Sequence, residues 1–167
     1  MPRVYLSLGS NIEPRRYLGA ALDALAEAFG SLVLSPVYES PAVGFAGDNF
    51  LNLVAGVDTE LPVGELARRL RAIEDANNRR RGAAKFRSRT LDIDILTYGD
   101  AVGVIDGVRL PRDEILRYAF VLRPLADIAP GAEHPAVHRP YRQLAGELDF
   151  SDQPLWPVAF RWPSAVR

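Results

Sequence analysis

A chain of 167 residues, 48% hydrophobic and 25% charged, has the make-up of an ordinary globular domain with a real core, and residues 1–167 read as one such domain. Its formal net charge of −1 excludes a surface that binds nucleic acid all over, and the lack of cysteine excludes disulfides and thiolate chemistry. With His134 and His138 as the only histidines, structural zinc is disfavoured, and no stretch is apolar enough for a signal peptide or a bilayer span, so a cytoplasmic protein is expected.

Val4, Leu6 and Leu8 alternate with Tyr5 and Ser7 and predict a first strand ending at Gly9-Ser10-Asn11. A helix follows Pro14, with Leu18, Leu22, Leu25 and Phe29 along one face and Gly30 stopping it. Residues 32–38 read as a second strand and residues 40–48, with Pro41, Gly44 and Gly47, as a loop. Residues 50–57 read as a third strand, antiparallel to the second. A second helix is expected over residues 62–77, burying Leu66, Leu70 and Ile73. Residues 78–88 lack apolar periodicity, contain Gly82 and predict a mobile loop. A strand with Asp92 and Asp94 follows, then a hairpin over residues 102–110 turning at Asp106-Gly107.

The order βαββαβ is the split pattern of a ferredoxin-like α+β core. Extra C-terminal elements follow: a helical stretch over residues 115–128, interrupted at Pro124, and a short helix near residues 141–146. The last fifteen residues are expected to wrap the surface. The two histidines, in a proline-rich tail with no acidic partner at metal or triad spacing, read as surface residues.

The chemistry concentrates in Arg89-Thr90-Leu91-Asp92-Ile93-Asp94-Ile95-Leu96. On a strand, Asp92 and Asp94 point to one face and Leu91, Ile93 and Ile95 to the other. Two adjacent acids repel and resist desolvation, so a divalent cation on their shared face would account for them. Their Cα atoms lie roughly 6.5–7 Å apart, and the carboxylates can converge on a pair of metals about 3.5–4 Å apart. Oxygen-only ligands favour Mg²⁺ or Mn²⁺. Just upstream, Arg79, Arg80, Arg81, Lys85, Arg87 and Arg89 hold six of the chain's 20 basic residues with no acid among them. Read blandly, that run is a solvated face or a nucleic-acid patch, with Phe86 available for stacking. A triphosphate with bound Mg²⁺ satisfies the cations and the carboxylates together. Phe50 and Asn52 share one strand face, and a ring beside an amide can hold a flat, hydrogen-bonding heterocycle.

The R-x-R-T-L-D-I-D-I-L run, with Phe50-Leu51-Asn52 and Leu6-Ser7-Leu8-Gly9-Ser10-Asn11, resembles the 6-hydroxymethyl-7,8-dihydropterin pyrophosphokinases. The likeness extends to Pro124-Leu125-Ala126-Asp127-Ile128-Ala129-Pro130. It implies a ferredoxin-like domain that moves pyrophosphate from ATP to the pterin hydroxymethyl group and releases AMP, a step towards folate. By position it implies two Mg²⁺ ions on Asp92 and Asp94, and transfer assisted by Arg79 and Arg89. Arg81 and Lys85 match further basic positions for ATP. Phe50 and Phe120 match a pair of rings that sandwich the pterin, whose edge is read by Asn52, Ser40 and the backbone around Pro41, Ala42 and Val43. Glu74 matches an acid near the site, and Ile95 and Arg109 border adenine and ribose. The partners so implied are small molecules, with no nucleic acid and no membrane, and a monomer is expected.

This chain departs from the family pattern around ATP. Arg87-Ser88 replaces the usual Gly-Pro, Arg112 stands where a histidine is usual, and Tyr118 stands where an arginine is expected, with Arg117 one place early. One helical residue is about 100° of rotation, so Arg117 need not reach the same point. The alternatives left open are a paralogue with another pterin or altered nucleotide use, and a non-catalytic nucleotide- or RNA-binding ferredoxin-like domain.

Overall fold

The computed structural model describes residues 1–78 and 88–163. β1 (Arg3–Ser10) leads into α1 (Pro14–Phe29), then β2 (Val33–Leu34), β3 (Val37–Ser40) and β4 (Phe50–Asp58). After α2 (Val63–Ala76) come β5 (Asp92–Tyr98) and the hairpin β6 (Gly103–Ile105) and β7 (Val108–Leu110). A 3-10 turn at Asp113–Leu116, α3 (Ala119–Ile128), α4 (Tyr141–Glu147) and β8 (Trp156–Val158) complete the order.

The main sheet runs β5-β1-β4-β3-β8 with β2 also on β4, and every pairing is antiparallel. β4 lies centrally and is buried on both faces, which its nearly unbroken apolar run suits. One face is covered by α1 and α2: Leu18, Leu22, Leu25, Leu66 and Leu70 pack with Val4, Leu6, Leu8, Leu53, Leu91, Ile93 and Ile95. The other is covered by α3 and α4, where Val121, Leu122, Leu125, Tyr141 and Leu144 pack with Val54 and Leu96. The chain is thus an α+β protein with helices on both faces of an antiparallel sheet.

Four expectations need correction. The single strand over residues 32–38 is two short strands, because Pro36 has no N–H to pair. Ser35 stitches the break: its N–H donates to Val54 O, and its Oγ accepts from Val54 N–H, each at 2.9 Å. The pairing slips by one residue between Leu34↔Ala55 and Tyr38↔Asn52, as a bulge requires. Second, the C-terminal helical stretch breaks at Arg117-Tyr118 and not at Pro124, which lies inside α3. Burial of Val121, Leu122, Leu125 and Ala126 outweighs the one backbone bond a proline forfeits. Third, His134 is buried, with Nδ1 accepting from the N–H groups of Ala136 and Val137 at 3.1 and 3.2 Å. Loss of hydration lowers its pKa, and His138 lowers it further, so it is a neutral turn-forming residue. His138 is exposed, as expected. Fourth, the tail does more than wrap. β8 extends the sheet, and Phe160 and Trp162 pack against the α1/α2 core.

The hairpin turns at Asp106-Gly107 as read, with φ of 51° and 80° giving the twist that short hairpins need. The expected mobile loop falls almost wholly outside the described residues.

Candidate functional site

Register decides what surrounds the acid pair. Asp92 pairs with Gly9 and Asp94 with Ser7 across β1, and Gly9 pairs in turn with Asn52 on β4. Directly opposed residues in an antiparallel sheet share a face, so Asp92, Asp94, Ser7, Gly9 and Asn52 form one continuous floor beneath the start of α3. Leu91, Ile93 and Ile95 go into the opposite core, as the alternation required. The floor is low at Gly9, where a Cβ would sit 3.2 Å from Asn52 Oδ1. Asn52 is buried and oriented, its Nδ2 donating to Ser40 Oγ at 2.9 Å.

Above this floor lies a cavity of about 360 Å³. Phe50 and Phe45 meet edge to face on one side, with ring centroids 6.4 Å apart. Phe120 and Tyr118 stack on the other, 5.0 Å apart and 18° from parallel. Arg117 lies over the Tyr118 ring at 5.5 Å and lines the same cavity. The start of α3 that carries these rings is held by the tail. Gln153 Oε1 accepts from Ala119 N–H, and its Nε2 donates to Arg117 O.

A second cavity, about 680 Å³, opens on the free edge of β5. Its walls are Glu65, Arg68, Arg71 and Glu74 of α2, Ile95, and Asp106 and Val108 of the hairpin. Glu74 is buried, and its Oε2 accepts from Ile93 N–H at 2.7 Å, which caps the edge strand between the two acids. The hairpin is tied to α2 by Asp106, whose Oδ2 accepts from Gly64 N–H at 3.0 Å. A Cβ at Gly64 would meet the Asp106 Cβ at 3.0 Å, so any side chain here would push the tether apart by a few tenths of an ångström. Among the described residues, the two cavities share only Asp92, Asp94 and Arg112.

The junction is electrostatically tense. Though a quarter of the Asp94 side chain meets solvent, loss of hydration and then the neighbouring Asp92 push its pKa up to about 7, while Arg112 pulls the other way. Arg112 Nη2 lies 3.5 Å from Asp94 Oδ1 and 3.0 Å from Glu114 Oε1. Partial burial works against its charge, but the two carboxylates overcome this and raise its pKa. No cluster of three or more metal-ligating side chains occurs among the described residues. A pair of carboxylates leaves most of a coordination shell to water and phosphate oxygens, which is the usual setting of Mg²⁺. The repulsion stored at Asp94 is what such an ion relieves, so the donor set fits the metal.

Asn11 accounts for the Leu8-Gly9-Ser10-Asn11 signature. It is buried, accepts from Arg89 N–H on Oδ1 at 2.7 Å, and donates from its own N–H to Arg89 O at 3.0 Å. Its Nδ2 donates to Asp48 O and Ser88 Oγ. One amide therefore fastens the exit of the basic segment to the end of β1 and to the loop before β4.

Most residues singled out from sequence converge here. Ser40, Pro41, Val43, Phe50, Asn52, Arg89, Asp92, Asp94, Arg112, Tyr118 and Phe120 line the ring-walled cavity, and Glu74 and Ile95 the other. Ala42 does not line either, and Arg109 is exposed on β7, with its neighbour Val108 facing the cavity instead. Arg117 does reach the site. Arg79, Arg81 and Lys85 lie outside the described residues. Sequence reading missed Ser7, Gly9, Phe45, Arg68, Arg71 and Glu114. Arg68 and Arg71 precede Glu74 at successive steps of three on one helix, a signal that was available. Ser7 and Gly9 needed the strand pairing, and nothing local marks Phe45.

An acid pair set between a slot of aromatic rings and a larger cavity lined by charges of both signs, on an antiparallel α+β scaffold, defines a site for phosphate chemistry on a flat ring compound. A model of the 7,8-dihydro-6-hydroxymethylpterin-pyrophosphokinase family matches residues 5–130, and the chain belongs to that family. It is 40% identical over 137 residues to a 2-amino-4-hydroxy-6-hydroxymethyldihydropteridine pyrophosphokinase of Pseudomonas aeruginosa, covering 80% of this chain and 84% of the relative. Identity to the Aquifex aeolicus protein of the same name is 35% over 149 residues, covering 88% and 92%. The fold resembles Plasmodium falciparum HPPK-DHPS in a crystal structure with SDX-DHP, with a TM-score of 0.67 and 16% identity. That match covers 88% of this chain but only 43% of the longer Plasmodium chain.

Proposed function

We propose that this chain transfers the pyrophosphoryl group of ATP to the hydroxymethyl oxygen of 6-hydroxymethyl-7,8-dihydropterin, releasing AMP, as a step of folate synthesis. The observation that carries this reading is that two cavities of different chemistry meet at one carboxylate pair. The pterin lies in the smaller cavity between Phe50 and Phe120, its edge on Asn52, Ser40 and the backbone of residues 41–43. ATP lies in the larger, with Ile95 against the adenine and Val108 of the hairpin beside the ribose. Its phosphates reach the junction, where Arg112 borders both cavities and Arg89 and Tyr118 stand on the ring-walled side. Arg79, Arg81 and Lys85 complete the phosphate grip. Asp92 and Asp94 would hold two Mg²⁺ ions, which supply positive charge for the phosphate chain and make the pterin alcohol easier to deprotonate.

The protein's part is placement. The ring slot aims the alcohol oxygen at the β-phosphorus, the bond from that phosphorus to the α–β bridging oxygen breaks, and the hydroxyl proton is lost. Arginine forks meet the charge that grows on the departing AMP. We read the fold as ferredoxin-like: with everything after β5 set aside and β2 and β3 taken as one interrupted strand, βαββαβ remains. No helix among the described residues is long and apolar enough to cross a membrane; a cytoplasmic monomer is the state we propose. The test is product analysis with ATP, Mg²⁺ and hydroxymethyldihydropterin. AMP and pterin pyrophosphate are expected in equal amounts, and ADP as the nucleotide product would reject the reading.

A further inference from the structure

Arg112 is the only basic residue among those described that borders both cavities, so what aims it matters. Its main chain is fixed. Arg112 N–H donates to Leu96 O on β5 at 2.9 Å, and its carbonyl accepts from the N–H of Ile115, a fully buried residue. The guanidinium is then placed by the rotatable bonds of a long side chain, and something must hold them. Glu114 does so: its Oε1 accepts from Nε at 3.0 Å and lies 3.0 Å from Nη2 in an ion pair. The same Nη2 is 3.5 Å from Asp94 Oδ1, too long for a good charge-assisted hydrogen bond. Glu114, not Asp94, therefore sets the orientation. Glu114 lines the ring-walled cavity beside the shared acids; a carboxylate that close to a polyphosphate at the junction would by itself repel it, so its presence calls for a compensating task.

We propose that Glu114 is the positioning residue of the phosphate site: it holds Arg112 at the junction and lets the guanidinium exchange Asp94 for a phosphate oxygen without losing its place. In the free protein Arg112 offsets the acid pair. With nucleotide present the acids take other counter-charges, and Arg112, still gripped along its Nε edge, turns to phosphate. This inference rests on the larger cavity being the ATP site. It assigns to one Arg-x-Glu pair a task that neither residue performs alone.

The experiment is a double-mutant cycle on the full chain. Binding of a non-hydrolysable ATP analogue with Mg²⁺ is measured by calorimetry and pterin binding by fluorescence, in wild type, Glu114→Ala, Glu114→Gln, Arg112→Ala and the Arg112→Ala/Glu114→Ala double variant. Glu114→Ala should weaken the analogue about tenfold and the pterin by clearly less, since both rings of the slot remain. Glu114→Gln, whose amide oxygen still accepts from Nε, should recover much of the loss. In the Arg112→Ala background, Glu114→Ala should change almost nothing, because the residue it positions is gone. A full effect of Glu114→Ala in that background would overturn the proposal, as would tighter nucleotide binding by Glu114→Ala alone. A wild type that releases AMP while Glu114→Ala binds the analogue normally rejects the role of Glu114 only. A wild type that binds no analogue rejects the ATP site as well.

Discussion

The cavity under α3 is walled by two pairs of rings over a floor of Gly9 and Asn52, whereas the cavity on the edge of β5 is walled by Arg68, Arg71, Glu65 and Glu74. The first is built from parts the fold has already fixed. Asn52 sits on the central strand and is tied to Ser40, and Phe120 leads a helix buried in the second core. The second is roughly twice as large, faces the outer edge of β5 and is shaped by charged side chains on α2 and by a small hairpin. A stiff slot suits a flat, uncharged ring; a wider charged cavity suits a flexible, ion-bearing chain. The acid pair belongs to both, which is why the proposed chemistry falls there.

The largest expected effect comes from removing what the cavities share. Asp92→Asn or Asp94→Asn should lower AMP formation by at least on the order of 10²–10³, the scale of losing a main charge stabiliser at a reacting centre. The sign for stability is opposite. Asp94 keeps its proton to about pH 7 in the folded protein against 3.8 for the free side chain. Between those values the unfolded chain has ionised and the folded one has not, so stability of the metal-free protein falls as pH rises from about 4 to about 7, then levels off. Asp94→Asn should remove that slope. In chelator it should melt higher than wild type at pH 8 and match it near pH 4, with about 2–4 °C for each kcal/mol regained. An Asp94→Asn variant that melts lower than wild type at pH 8 would refute the stored repulsion.

A smaller effect separates the two cavities. Replacing Phe50 or Phe120 with alanine should weaken pterin by about 1–3 kcal/mol, roughly 5- to 150-fold, the range for stacking a flat heterocycle on a ring. Binding of the ATP analogue should barely change. Pterin fluorescence titration beside analogue calorimetry reads both, and equal losses on the two ligands would show that the slot is no separate compartment.

How much of this could be read from sequence depended on whether a residue's task is local. Asp92 and Asp94 declared themselves because alternation on one strand fixes their face, and Asp106-Gly107 because a tight turn needs residues tolerant of positive φ. α1 and α2 followed from helical spacing almost to the residue. Long-range features stayed hidden. The apolar pattern around Pro124 promised a break, but the second core paid for its place inside α3. His134 read as a surface residue because it lies in a proline-rich tail with no acidic partner at metal or triad spacing, yet it is buried with its ring against that of Tyr141. β8 has three residues and no alternation to betray it; only the free edge of β3 makes it a strand. In the site, Gly9 and Ser7 acquire meaning through pairing with β5, and Glu114 through the guanidinium it grips.

The smallest effect tests whether the edge cavity depends on the hairpin that borders it. Asp106 accepts from Gly64 N–H in the first turn of α2, the service an N-cap side chain provides, yet it comes from another element 42 positions along the chain. Among the described residues Pro62, at the cap position itself, makes no side-chain cap bond, so the borrowed carboxylate serves the helix and the hairpin at once. Asp106→Ala should cost about 0.5–2 kcal/mol of stability, towards the low end because the contact is exposed. Untethered, the hairpin loosens one wall of the larger cavity, so on the proposal that ATP lies there KM for ATP should rise a few-fold while kcat and KM for the pterin hold. Asp106→Asn, which keeps an oxygen acceptor, should retain most of both. A fall in kcat without a rise in KM for ATP would mean that the hairpin supports the acid pair and not the nucleotide wall, and the two cavities would then be mechanically one.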